Sequence, residues 1–213
     1  DCDDVTARPL YAEWERESAQ DNVFVSWHTN GGQARGTESY IYNGGGGGTF
    51  TPGSDQLQYW LHTTLVNDIR AGWEAGWTDR GLKQANFGEV RALDTMPGTL
   101  LEIAFHDQAS DANALKDPRF AQLTARAVYK GIVRYFASKD STPVAFLPEP
   151  PRNLVVRNSG LGQATVSWQP SPTDTVGAGL PRPYGLLGDA ATGYRVYTSA
   201  DGLGWSNGAP VAG

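Results

Sequence analysis

Two side chains in the first part of the sequence have the chemistry of a hydrolytic site. His28 follows the apolar run 23–27, and Glu102 lies in the middle of the apolar run 99–105. A neutral imidazole at the end of a strand is a good zinc ligand. A carboxylate among apolar neighbours loses hydration, which raises its pKa towards the range of a general acid or base. The pair is therefore typical of metal-assisted hydrolysis.

Both side chains also have a purely structural interpretation. His28 is consistent with a histidine that forms a hydrogen bond at a sheet edge, since histidine is often partly buried. Glu102 is consistent with a carboxylate facing solvent, because alternate residues of a strand point to opposite faces. The hydrolytic interpretation requires these two side chains, 74 positions apart, to meet across neighbouring strand ends.

Four further polar residues are expected to support such a site or to contact its substrate. They are Asn30, Glu38, Arg80 and His106. A simple edge charge is the alternative for Glu38, a salt bridge within the turn 79–81 for Arg80, and an exposed loop position for His106. His62 falls among helical residues and is predicted to lie at the surface.

The elements around these residues alternate between strands and helices. The predicted strands are 23–27, 36–42 and 99–105, with a further short strand in the segment GWTDRGLKQANFGEVRAL, and the predicted helices are 9–20, 54–71 and 118–136. The first helix is expected to place Leu10 and Trp14 inward, and the second has a stripe of apolar residues at every fourth position, namely Leu57, Leu61, Leu65 and Ile69. This order predicts an α/β fold with a mainly parallel or mixed sheet flanked by helices.

The composition changes after the last of these helices. Residues 139–151 are rich in proline and are predicted to form a linker. Three alternating or aromatic segments follow, separated by Gly, Asn and Asp, and they favour a small all-β, immunoglobulin-like sandwich in 152–213. Such a module needs about 100 residues, so the sandwich is predicted to be incomplete. The first domain is placed at 1–138.

Charge and hydropathy exclude several classes of function. The net charge of -6 argues against a nucleic-acid partner, which usually requires a basic surface. No apolar run is long enough to span a bilayer. The glycine run at 44–48 is predicted to be a flexible loop, and no Gly-Lys-Ser/Thr follows it, as a phosphate-binding loop would require.

Several motifs together resemble one enzyme family. SWHTN, GTESYIY, DRGLK and LLEIAFHD, followed by a helix ending in GIVRYF, are similar to the later two-thirds of the catalytic domain of zinc-dependent N-acetylmuramoyl-L-alanine amidases. In that family, a zinc ion activates the water that cleaves the amide between N-acetylmuramic acid and L-alanine in peptidoglycan. The resemblance implies that His28 is a zinc ligand and that Glu102 is the catalytic acid/base. It also implies a secreted, periplasmic or cell-wall location, with peptidoglycan as the partner and any regulatory protein unidentified.

The chain departs from this family at defined points. The family has two further zinc ligands, a His in a Gly-His-Gly turn and a later Glu, and both precede the region that the resemblance covers. We therefore expect these ligands upstream of Asp1. The family's usual Asn after the catalytic strand is replaced at His106-Asp107. Two alternatives remain: a non-catalytic cell-wall-binding protein on the same fold, and another zinc amidohydrolase or peptidase.

The segments PPRNLVVRNSG, ATVSWQP and TGYRVYTSADG resemble the first part of a fibronectin type III module. That resemblance implies a role in spacing or docking domains, and no catalysis.

Overall fold

The computed structural model of the protein describes residues 2–44, 49–173 and 187–212. The chain forms two compact units, Asp1–Val144 and Ala145–Gly213. Most of the predicted glycine loop, residues 45–48, lies outside the described residues. None of the described helices is both long enough and apolar enough to cross a membrane.

The first unit contains a four-stranded mixed sheet. Its strands are β1 (Phe24–Asn30), β2 (Thr37–Tyr42), β3 (Asp79–Ala85) and β4 (Gly98–Phe105), in the order β1-β4-β2-β3. The pairs β1/β4 and β2/β3 are parallel, whereas β2 and β4 are antiparallel. Every residue of the central strand β4 is buried, as its long apolar run predicts.

Five helices accompany the described part of this sheet. They are α1 (Cys2–Glu15), α2 (Ser54–Gly72), α3 (Gly88–Arg91), α4 (Ala109–Lys116) and α5 (Pro118–Asp140). The main core forms where α2, α5 and one face of β4 meet, and the predicted stripe of α2 is fully buried there. Gly131 allows the two long helices to approach closely, since a Cβ at this position would lie 2.8 Å from Leu61 Cα. The predicted α/β class, with a mixed sheet flanked by helices, is confirmed.

Two predictions about helical faces are wrong. The first helix begins earlier and ends at Glu15, and the side chains of Leu10 and Trp14 are 56% and 75% exposed. A polar contact holds this helix, because the Glu13 carboxylate accepts hydrogen bonds from the backbone N–H groups of residues 94–96. His62 is buried, since α2 packs against the sheet as well as against α5.

Strand boundaries also differ from the sequence-based ones. β1 continues three residues beyond Trp27, so His28 lies within the strand and not after it. The predicted turn at 79–81 forms the start of β3, where the register with β2 shifts.

The second unit contains two small antiparallel sheets among its described residues. One pairs β5 (Arg152–Gly160) with β6 (Gln163–Gln169), and the other pairs β7 (Gly193–Val196) with β8 (Ala209–Ala212). Trp168 packs on Tyr194, with ring centroids 5.3 Å apart. Every residue of β5 is exposed, and the described strands form two separate two-stranded sheets. The immunoglobulin-like architecture is therefore not confirmed.

Candidate active site

The sheet aligns three polar side chains across three neighbouring strands. In the parallel pair β1/β4, His28 is the register partner of Glu102. In the antiparallel pair β2/β4, Glu38 is the register partner of the same glutamate. Directly paired residues point to the same face of a sheet, and neighbouring strands lie about 4.8 Å apart. Glu102 is therefore flanked by an imidazole on one side and a carboxylate on the other.

A register shift extends this polar face by one aromatic ring. Between His28 and Asn30 the β1/β4 pairing slips by one residue, so that Asn30 is paired with Phe105. His28 and Asn30 are two positions apart and share a face, so Phe105 is brought to the face of Glu102. We call this surface, defined by His28, Asn30, Glu38, Glu102 and Phe105, the catalytic face.

His28 is a half-buried imidazole with two polar neighbours. Its side chain is 26% exposed, and its Nε2 lies 2.9 Å from Ser26 Oγ and 3.6 Å from Glu89 Oε1. Glu89 lies on the short helix α3, and its side chain is buried. Sequence reasoning missed this residue. The signal that identifies Glu102, a single carboxylate among apolar residues, is also present at Glu89 between Phe87 and Val90.

Glu102 is buried, and its Oε2 has no hydrogen-bond partner among the described residues. Burial is the main cause that raises the pKa of this carboxyl group to about 7, and the negative charges of Glu38 and Glu89 add to the effect. The group can therefore accept or donate a proton near neutral pH.

Glu38 has the opposite environment, although it is just as deeply buried. Its carboxylate accepts hydrogen bonds from Asn30 Nδ2 at 2.6 Å, Tyr40 Oη at 2.9 Å and Arg80 Nε at 2.6 Å, and also from Lys83 Nζ. Burial acts to raise the pKa of Glu38, but hydrogen bonds from Lys83, Arg80 and Tyr40 outweigh it and hold the pKa below its usual range. Two neighbouring carboxyl groups thus differ in protonation because their hydrogen bonds differ.

His106 lies in the short turn between β4 and α4, and its backbone N–H donates to the Asn30 carbonyl oxygen at the end of β1. Its Nδ1 is 3.2 Å from Thr29 Oγ1, and its side chain is exposed. The neighbouring Asp107 accepts hydrogen bonds from the backbone N–H groups of Gly32 and Gln33. No hydrogen bond joins His106 to His28, Glu38 or Glu102 in the part of the chain that the structure describes. Of the predicted site residues, Asn30 and Arg80 therefore both contact Glu38, and His106 lies apart.

The described residues supply too few donors for a catalytic zinc ion. Within 2–44, 49–173 and 187–212, no group of three or more His, Cys, Asp or Glu side chains is arranged to hold a metal. His28 is of the right chemical type for one ligand, but a catalytic zinc site usually has three protein ligands. The described residues therefore fit part of a zinc site and do not complete one.

One face of the mixed sheet has an imidazole, an ionised carboxylate and a buried carboxyl group of raised pKa. These are the types of side chain that a hydrolytic active site uses. The model of the N-acetylmuramoyl-L-alanine amidase family matches residues 4–134, and the chain belongs to this family.

Two similar proteins from Bacillus subtilis are described as N-acetylmuramoyl-L-alanine amidases. The sporulation-specific N-acetylmuramoyl-L-alanine amidase of Bacillus subtilis (strain 168) is 35% identical over 132 residues, which cover 60% of this chain and 47% of the relative. The germination-specific N-acetylmuramoyl-L-alanine amidase of the same organism is 41% identical over 124 residues, covering 57% and 47%. The chain thus spans about half the length of these relatives.

Among solved structures, an N-acetylmuramoyl-L-alanine amidase from Clostridium difficile 630 shares the fold. It has a TM-score of 0.52 and 24% sequence identity, and the match covers 65% of this chain and 67% of that chain.

Proposed function

We propose that this chain carries the catalytic glutamate of a peptidoglycan hydrolase, which cleaves the amide between N-acetylmuramic acid and the L-alanine of the stem peptide. The family membership supports the reaction class. The observation that carries the assignment of the site is the buried carboxyl group of Glu102, with a pKa of about 7, directly opposite His28 in the sheet.

In this proposal, Glu102 is the general acid/base. A carboxyl group with a pKa near the working pH is populated in both forms. The ionised form would take a proton from the attacking water, and the protonated form would deliver it to the nitrogen that leaves with L-alanine. Glu38 stays ionised and holds Arg80 and Asn30 at the rim of the catalytic face, where they would contact the substrate. His106, at the end of the same strands, would contact a more distant part of the substrate.

Zinc is the proposed cofactor, with His28 as one ligand and the other ligands outside the described residues. When bound, the ion would supply Lewis acidity at the scissile carbonyl and at the attacking water. Glu89, 3.6 Å from the His28 imidazole, would help to orient that ring.

The test uses the protein together with the segment that supplies the remaining zinc ligands, and it measures new N-terminal alanine released from purified peptidoglycan in the presence of zinc. We expect Glu102→Gln to reduce the release at least about 100-fold. The matched control Glu15→Gln, at an exposed position on α1, should retain the parent rate. Equal release by the parent and Glu102→Gln would remove Glu102 from the mechanism.

The same assay separates the two alternative functions. A non-catalytic wall-binding protein would sediment with peptidoglycan and release no new amino termini. A different amidohydrolase or peptidase would release termini other than L-alanine.

We further propose a domain organisation for the whole chain. Residues 1–138 would form the amidase part, 139–151 a linker, and 152–213 part of a fibronectin type III-like spacer. The antiparallel strand pairs and the contact of Trp168 with Tyr194 support the last assignment. Action on peptidoglycan would place the protein outside the cytoplasmic membrane, as a secreted, periplasmic or wall-associated enzyme.

A further inference from the structure

Two cations on the catalytic face share one carboxylate. Arg80 and Lys83 both form ion pairs with Glu38, and their side chains remain 31% and 33% exposed. Glu38 is the only ion-pair partner of either cation among the described residues. Two partly exposed cations that share one carboxylate, beside a hydrolytic site, are suited to an anionic group of the substrate.

The guanidinium group of Arg80 is held at two points. Its Nε donates to Glu38 at 2.6 Å, and its Cζ lies 5.0 Å from the centroid of the Phe105 ring. Its two terminal nitrogens form no hydrogen bond within the described ranges. A guanidinium fixed in this way presents its remaining N–H groups in the geometry that binds a carboxylate through two parallel hydrogen bonds.

Lys83 supplies a second hydrogen-bond donor next to the Arg80 guanidinium. Its ammonium group fixes the direction of a hydrogen bond less strictly than the planar guanidinium does. Its Nζ pairs with Glu38 and lies 5.6 Å from the centroid of the Tyr40 ring. An ammonium group has three N–H donors, and the bond to Glu38 uses only one of them. The two side chains together therefore offer several donors to one ligand.

We propose that Arg80, assisted by Lys83, binds a carboxylate on the peptide side of the scissile amide and so selects acidic stem peptides. This inference rests on the proposed function, because it takes Glu102 as the point of cleavage. A purely structural role would require only that one of the two cations neutralise Glu38.

The spacing of the strands is consistent with a carboxylate close to the cleaved bond. Arg80 lies on β3, two strands from Glu102, so their backbones are about 10 Å apart. The hydrogen bond to Glu38 draws the guanidinium back across part of this distance. An extended peptide covers about 3.5 Å per residue, so a carboxylate one or two residues from the cleaved bond can reach Arg80.

The experiment measures binding of two soluble probes by titration calorimetry. The probes are N-acetylmuramoyl-L-alanyl-D-glutamate and its diamide, in which both carboxylates of the glutamate are replaced by amides. The full chain with Glu102→Gln is the parent protein, so that neither probe is cleaved. We expect the acid to bind at least about 10-fold more tightly than the amide, as for a charge-assisted hydrogen-bonded pair.

Substitutions at position 80 then assign this preference. Arg80→Gln should make the two dissociation constants equal, and Arg80→Lys should retain part of the difference. Arg119→Gln is the matched control, because Arg119 is an exposed arginine paired with Asp117 on α5, and it should leave both constants unchanged. Circular dichroism and a melting curve verify the fold of each variant.

Each outcome has a defined meaning. Equal binding of acid and amide by the parent overturns the carboxylate proposal while the amidase assignment stands, and this comparison requires no substitution at Arg80. A preference that persists in a folded Arg80→Gln variant also overturns it. Failure of both probes to bind counts against the proposed function and the inference together.

Discussion

Replacing Glu102 with glutamine should stabilise the protein at alkaline pH and change its stability little in acid. The carboxyl group has an ordinary pKa of 4.5 in the unfolded chain and a pKa of about 7 in the native state, because burial disfavours its charge. Between these values the native state keeps a proton that the unfolded state releases. Stability from this group is therefore fully present below the unfolded pKa and is lost as the pH rises through the native pKa.

The size of the effect follows from the difference between the two pKa values. One pKa unit corresponds to about 1.4 kcal/mol, so the wild type should lose about 3 kcal/mol from this group between about pH 4.5 and pH 9. Glutamine has nearly the same shape and does not ionise. The stability advantage of Glu102→Gln over the wild type should therefore grow by about 3 kcal/mol over this range.

Urea denaturation followed by tryptophan fluorescence measures this difference, with EDTA present to remove metal ions. Trp77 is buried in the core of the first unit and reports on its unfolding. The exposed Glu15→Gln variant, measured in parallel, should show no pH-dependent advantage. If the difference between Glu102→Gln and the wild type changes by less than about 0.5 kcal/mol, Glu102 is well solvated and the reasoning from its burial is refuted.

Three further predictions concern the framework of the site. Glu38→Gln should cost about 1–3 kcal/mol near neutral pH, because Arg80 and Lys83 lose a charged hydrogen-bond partner but stay partly exposed to water. Urea midpoints should show a smaller cost in acid, since the lowered pKa of Glu38 provides stability that is lost as the pH falls through it. Leu61→Ala should cost about 2–5 kcal/mol in thermal or urea unfolding, whereas Leu10→Ala should change stability by less than about 0.5 kcal/mol, and equal losses would contradict the observed exposure of Leu10. Gly36→Ala should cost at least about 2 kcal/mol, because Gly36 has φ +102° and a Cβ there would lie 2.1 Å from the Thr78 carbonyl oxygen; a native-like melting curve would rule this out.

Local patterns predicted much of the framework correctly. The four-residue spacing of Leu57, Leu61, Leu65 and Ile69 identified the buried stripe of α2. Asp117 followed by Pro118 marked the start of α5, where the aspartate accepts a hydrogen bond from the Arg119 backbone N–H. These features depend on residues within one or two helical turns, so the sequence contains all the information that they require.

The same patterns could not predict which side of a helix is buried by neighbouring elements. The periodicity of the first helix suggested a buried side with Leu10 and Trp14, but no described layer packs there. His62 was assigned to the surface, although its imidazole lies between Ser39 and Asp79. Periodicity specifies which residues share a side of a helix, whereas burial depends on neighbouring elements that are distant in sequence.

The chemical types of the catalytic face were present in the sequence, as one histidine and one carboxylate, each in or beside an apolar strand. Their meeting depends on the pairing of strands whose polar residues are 74 positions apart. The pKa of Glu102 depends on its burial and on the charges of Glu38 and Glu89, which lie on two other elements. Register and strand order arise from long-range hydrogen bonds and from the competition among all possible pairings. Residue types therefore predicted which chemistry this protein could perform, and the folded sheet selected which of its carboxyl groups is charged and which holds a proton.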